Sequence, residues 1–213
     1  MGTTGNPAIL LHGILGQKHL YWNLFKRRLR QDGFRYHECI LPYAMLGDIR
    51  IAASILRDKV EATLRGDNAT KVDLVCHSAG GLVARYYMMY LGGDKRIGHM
   101  VTMGSPHQGT YFSYLLGANN FIQVAKQTRP GSHFLDEING PGAVPSHIPF
   151  CNIWSPLDAI VIPSFNSHLP GSQAIKVPFC SHWGFLVRKD VYETVRDALR
   201  DQLPKKQAIV PAA

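Results

Sequence analysis

The 213 residues are 46% hydrophobic and 18% charged, enough for one core-bearing domain and too apolar for a disordered chain. The net charge of +8 comes from scattered basic residues, with short clusters only at Lys26-Arg27-Arg28 and Lys205-Lys206. That suits a solvated basic face or an anionic lipid–water interface; without an aromatic-basic repeat or nucleic-acid motif, it disfavours nucleic acid.

In chain order, short apolar runs alternate with amphipathic stretches, the pattern of βα units on a parallel sheet. The predicted strands are Ala8 to Leu11, Tyr36 to Leu41, Val72 to Cys76, His99 to Met103, Cys151 to Trp154 and Ala174 to Val177. The predicted helices are Leu20 to Leu29, a second with one apolar face from Ile49 to Leu64 behind an Asp48 N-cap, Leu82 to Leu91, and a last carrying Val187, Val191, Val195 and Leu199. In the last, Asp190 and Glu193 are spaced as a capping box. The expected organisation is one α/β domain over residues 1–203 and a flexible tail over 204–213. Residues 107–150, long and rich in Gly and Pro, form a lid-like or groove-lining insertion with an apolar centre at Tyr111 to Val124.

The strongest chemical signal is Val72-Asp-Leu-Val-Cys-His-Ser78-Ala-Gly80-Gly81, a strand running into a helix through a serine. A nucleophile elbow needs a sharp turn that lifts the hydroxyl over the sheet, so small residues must follow it. Serine needs a general base and an acid to orient that base, in the chain order Ser, acid, His. Among Asp94, Asp136, Glu137 and Asp158, only Asp158 follows a strand by a few residues; His182 directly follows the last strand, whereas His168 lies between strands. Ser78, Asp158 and His182 are therefore the expected catalytic residues. The expected oxyanion donors are the backbone N–H groups of Ala79, after the nucleophile, and Ile14, in His12-Gly13-Ile14 after the first strand. In the insertion, Tyr111, Phe112, Leu115, Phe121 and Ile122 are the expected substrate-binding residues. His107, in Gly-Ser-Pro-His-Gln-Gly-Thr, is expected to structure its loop.

No metal site is expected, because H-E-x-x-H, EF-hand and zinc-knuckle spacings are missing, and no cofactor, because G-x-G-x-x-G and the P-loop are missing. Cys39, Cys76, Cys151 and Cys180 lack C-x-x-C pairing and read as buried free thiols. With no signal segment or apolar run of ~20 residues, a soluble chain without a transmembrane segment is expected. It would be cytoplasmic as the sequence stands, or secreted if this is a processed mature chain.

Ile9 to Gly16, Val72 to Arg85, Val101 to Thr110, Ser155 to Val161 and His182 to Phe185 together resemble the bacterial lipases and esterases of the α/β-hydrolase superfamily. The short chain, opening directly at the oxyanion strand, resembles their minimal triacylglycerol lipases. The resemblance implies a reduced six-stranded, mainly parallel sheet with helices on both faces, the same triad and oxyanion donors, and hydrolysis of lipid or small esters with apolar acyl chains. Acyl transfer and thioester hydrolysis suit the same triad, while the presence of all three triad residue types disfavours a non-catalytic binding protein. The chain departs from the family pattern at Cys76, where Gly or Ala is usual, and in its longer insertion after Thr110.

Overall fold

The computed structural model describes residues 5–16, 21–116 and 122–203. Six strands form one parallel sheet: β1 (Ala8–Leu11), β2 (Tyr36–Cys39), β3 (Val72–His77), β4 (Ile97–Met103), β5 (Phe150–Trp154) and β6 (Gln173–Lys176). Their order is β2-β1-β3-β4-β5-β6, with every neighbouring pair parallel. The order reverses around β1 and β3, and in such sheets the crevice beyond the strand ends at the reversal is where ligands bind. The chain leaves β1 at His12-Gly13 and β3 at Ser78.

Alternate strand residues face two apolar layers. Ile9, Leu11, Leu74 and Cys76 pack with α2 (Ile49–Gly66) and α3 (Gly80–Tyr90) on one face. Leu10, Val75, Val101 and Ile153 pack with α1 (Asn23–Gln31) and the last helix, Lys189–Leu199, on the other. The Asp48 side chain caps α2 by accepting from Arg50 N at 2.8 Å. The predicted capping box does not form: Arg188 is the N-cap residue of the last helix and makes no side-chain cap bond, while its guanidinium holds Asp190 at 2.9 Å. Leu20, the predicted start of α1, and the 204–213 tail lie outside the described residues.

Among the described residues, the insertion contains three short helices, α4 (Phe112–Leu116), α5 (Gln123–Gln127) and α6 (His133–Ile138), which makes the last helix α7. Polar ties fasten α5 and α6 to the body. Gln127 Oε1 accepts from Ile49 N at 2.9 Å and its Nε2 donates to Asp48 at 2.8 Å. Buried Arg85, in α3, donates to the Ile138 carbonyl at 2.6 Å and to Asn139 Oδ1 at 2.9 Å. Burial pulls its guanidinium down to about 10, still charged at neutral pH. By contrast, α4 leaves Tyr114 and Leu115 exposed. No described helix is long and apolar enough to cross a membrane.

Candidate active site

Ser78 has φ +55°, a left-handed conformation that a non-glycine residue adopts only under constraint. The constraint is close packing of the elbow. A Cβ on Gly80 would lie 2.7 Å from the His12 carbonyl oxygen and 2.8 Å from that of Leu11, and a Cβ on Gly81 would strike Ser105. A Cβ on Gly13 would lie 2.5 Å from Ser78 Cβ, so only glycine lets the loop after β1 pass over the serine. Cys76 is fully buried beneath the turn, and burial pushes its thiol well above the ordinary range, so it serves there as a small apolar residue.

His182 Nδ1 donates to Asp158 at 2.8 Å from Oδ2 and 3.0 Å from Oδ1, with both residues buried. Asp158 Oδ1 also accepts from Ile160 N at 2.9 Å and Val161 N at 3.1 Å, which fixes the carboxylate. Nδ1–H pointing to the carboxylate leaves Nε2 as the acceptor. Ser78, His182, Ile14 and Ala79 line one cavity of about 210 Å³. Ala79 is the N-cap of α3, where the helix dipole presents positive charge. Larger cavities, of about 420 and 400 Å³, lie beside the end of α3 and beside His99 and Asp201, away from Ser78.

Of the predicted substrate-binding residues, Phe112 lines the cavity. Tyr111 and Leu115 point outward, 57% and 77% exposed, and Ile122 packs against the core layer of α2 and α3. Phe121 lies outside the described residues. Leu116, from the apolar centre of the insertion, lines it too, and Leu15, Ile160, Val161 and Trp183 supply apolar wall that the sequence reading missed. Asp136 and Glu137 lie on α6, where Glu137 pairs with Arg50 at 2.5 Å, and Asp94 lies in a short 3-10 turn after α3.

The family model for palmitoyl protein thioesterase matches residues 7–129, more than half of the chain. The chain belongs to that family. It is also 29% identical over 133 residues to a triacylglycerol lipase of Pseudarthrobacter phenanthrenivorans, a match covering 60% of this chain and 39% of that protein. A Burkholderia plantarii triacylglycerol lipase matches equally well over 35% of its length, so the chain spans little more than a third of these curated relatives. Among solved structures, a Bacillus licheniformis lipase in mature form has a TM-score of 0.78 at 14% identity, over 92% of both chains. Aspergillus fumigatus lipase B has a TM-score of 0.76 at 17% identity, over 92% of this chain and 52% of its own. The fold is therefore the expected α/β-hydrolase fold.

In this palmitoyl protein thioesterase family member, His77 joins the parts of the site. Its Nε2 lies 2.9 Å from the His182 carbonyl, which can only accept, so Nε2 carries the proton and Nδ1 accepts from the Tyr21 hydroxyl at 2.5 Å. A fully buried polar residue within an apolar strand was the available signal, although the sequence reading gave His77 no role. His107 is equally buried, between Thr102 Oγ1 at 3.1 Å and Arg85 at 3.4 Å.

Burial holds both imidazoles well below the ordinary histidine range, helped by His182 beside His77 and by Arg85 beside His107. Native and unfolded states are both neutral at these positions above pH ~6.5; below it the unfolded chain takes up protons that the native chain refuses, costing about 1.4 kcal/mol per pH unit for each histidine. His99 acts oppositely. Its hydrogen bond to Asp73 raises its pKa, so its contribution is full below pH ~6.5 and fades as pH climbs through the raised value. Urea unfolding is expected to show stability falling as pH drops from about 6.5 to about 5, with a slope of about two to three protons, because burial lowers the His12 pKa as well. A flat profile over that window would mean that His77 and His107 are protonated in the folded chain.

Proposed function

We propose that the chain is a serine hydrolase of carboxylic esters with apolar acyl groups, acting through Ser78, His182 and Asp158. Ser78 Oγ attacks the ester carbonyl while His182 Nε2 takes its proton, and Asp158 holds Nδ1–H and stabilises the imidazolium. The backbone N–H groups of Ala79 and Ile14 donate to the developing oxyanion. His182 returns the proton to the leaving alcohol, giving an acyl-enzyme on Ser78 that water, activated by His182, hydrolyses. No step needs a metal or cofactor. The observation that carries this reading is the buried Asp158–His182 pair opening on the same apolar cavity as the strained Ser78. Leu15 and Trp183, which line that cavity yet are 61% and 52% exposed, support contact with a lipid surface at its mouth.

The family description favours a second reading, thioester hydrolysis by the same residues. The deciding comparison sets tributyrin and p-nitrophenyl butyrate against a butyryl thioester of a small thiol. The ester reading expects turnover of both oxygen esters, whereas turnover of the thioester without tributyrin would favour the second. No turnover of any of the three would remove both.

A further inference from the structure

His182 is carried by a connection that starts far along the sheet from the nucleophile. β6 stands three places from β3, so the chain leaving Lys176 turns back past the ends of β5 and β4, roughly 14 Å at the usual strand spacing, to set His182 on the cavity with Ser78. The path is irregular. Phe179 is 82% exposed with φ +54°, and Arg188 donates to its carbonyl at 2.8 Å. Asp158 holds the imidazole of His182, but the main chain beneath it is caught from the nucleophile's side. His77 is the last residue of β3, immediately before Ser78, and its Nε2–H donates to the His182 carbonyl at 2.9 Å.

Both ring nitrogens of His77 are committed, since the Tyr21 hydroxyl donates to Nδ1 at 2.5 Å. The ring is fully buried, and its centroid lies 4.6 Å from that of His182 with the planes tilted by 53°. Burial keeps it neutral, so it sets no charge against the imidazolium that forms on His182. Resting on the hydrolase reading above, we propose that His77 is a positioning residue for the base. Its N–H ties the main chain of His182 to the strand that carries Ser78, and the Tyr21 hydroxyl holds the ring in the tautomer that makes this bond. The tie matters because a displacement of about 1 Å in a catalytic group costs on the order of 10²-fold in rate.

The test separates the donor from the bulk. Glutamine carries an acceptor oxygen and a donor nitrogen on one carbon, as Nδ1 and Nε2–H flank one ring carbon, whereas methionine fills similar space without the donor. With p-nitrophenyl butyrate, His77→Met is expected to lower kcat on the order of 10²-fold with KM little changed, and His77→Gln to recover most of that loss. His107→Met controls for lost stability alone, because His107 is equally buried and hydrogen-bonded but does not line the cavity. It should lower the melting temperature and leave kcat nearly unchanged. NMR of histidines labelled at the ring nitrogens adds a reading independent of turnover. His77 should carry its proton on Nε2, and the His182 Nδ1–H should exchange with water faster in His77→Met than in the wild type or His77→Gln. If His77→Met does not fold, Tyr21→Phe takes its place in both measurements, with kcat expected to fall roughly three- to tenfold. Wild-type kcat in the donor-free variant, a loss that His77→Gln fails to recover, or the His77 proton on Nδ1 would overturn the proposal. Absence of ester turnover in the wild type would defeat the hydrolase reading; the exchange rates would then decide, faster exchange upholding the tie and equal exchange overturning it.

Discussion

Ser78→Ala is expected to lower kcat by on the order of 10⁶, because the members of a triad act as a unit and the remaining two have no nucleophile to activate. The fold should survive. The elbow's backbone bonds, Ser78 N–H to the Met103 carbonyl at 2.9 Å and Gly81 N–H to the Ser78 carbonyl at 3.0 Å, do not involve the hydroxyl. Steady-state kinetics beside a thermal melt makes the check. A variant that kept more than a few per cent of wild-type kcat with an unchanged melt would remove Ser78 as nucleophile.

Asp158→Asn is expected to cost on the order of 10⁴ in kcat with little change in stability. The geometry predicts how. Asp158 Oδ1 already accepts from the backbone N–H groups of Ile160 and Val161, so an asparagine keeps its oxygen there and turns its amide toward His182 Nδ1, where Oδ2 now accepts at 2.8 Å. An amide donating to Nδ1 forces the proton onto Nε2, and that tautomer cannot take the Ser78 proton. Asp136→Asn, on α6, should change kcat little. Reversed effects of the two substitutions would move the acid into the insertion.

The strands and the triad candidates were legible because parallel strands read as apolar runs and sites form where those runs end. The boundaries were less so. The predicted second strand ran on to Leu41, but the Leu41 N–H is taken by His12 Nε2 at 3.0 Å, which ends the ladder at Cys39. The third helix was expected from Leu82, whereas packing against Leu11, His12 and Ser105 demands Gly80 and Gly81 in its first turn, despite the low helix propensity of glycine. The cavity wall was the least legible part. In a helix as short as α4, apolar residues carry no readable face, so Tyr111 and Leu115 were picked for composition although they face outward. Ile160 and Val161 reach the wall only because their N–H groups close a turn on the Asp158 carboxylate, a contact no spacing announces.

Covalent trapping reaches the central claim most directly. A long-lived alkyl fluorophosphonate, incubated with the folded protein and mapped by intact and peptide mass, should add a single phosphonyl group to the peptide carrying Ser78, abolish ester turnover in proportion, and fail to label Ser78→Ala. A label on another residue, or full ester turnover after complete labelling of Ser78, would contradict the account.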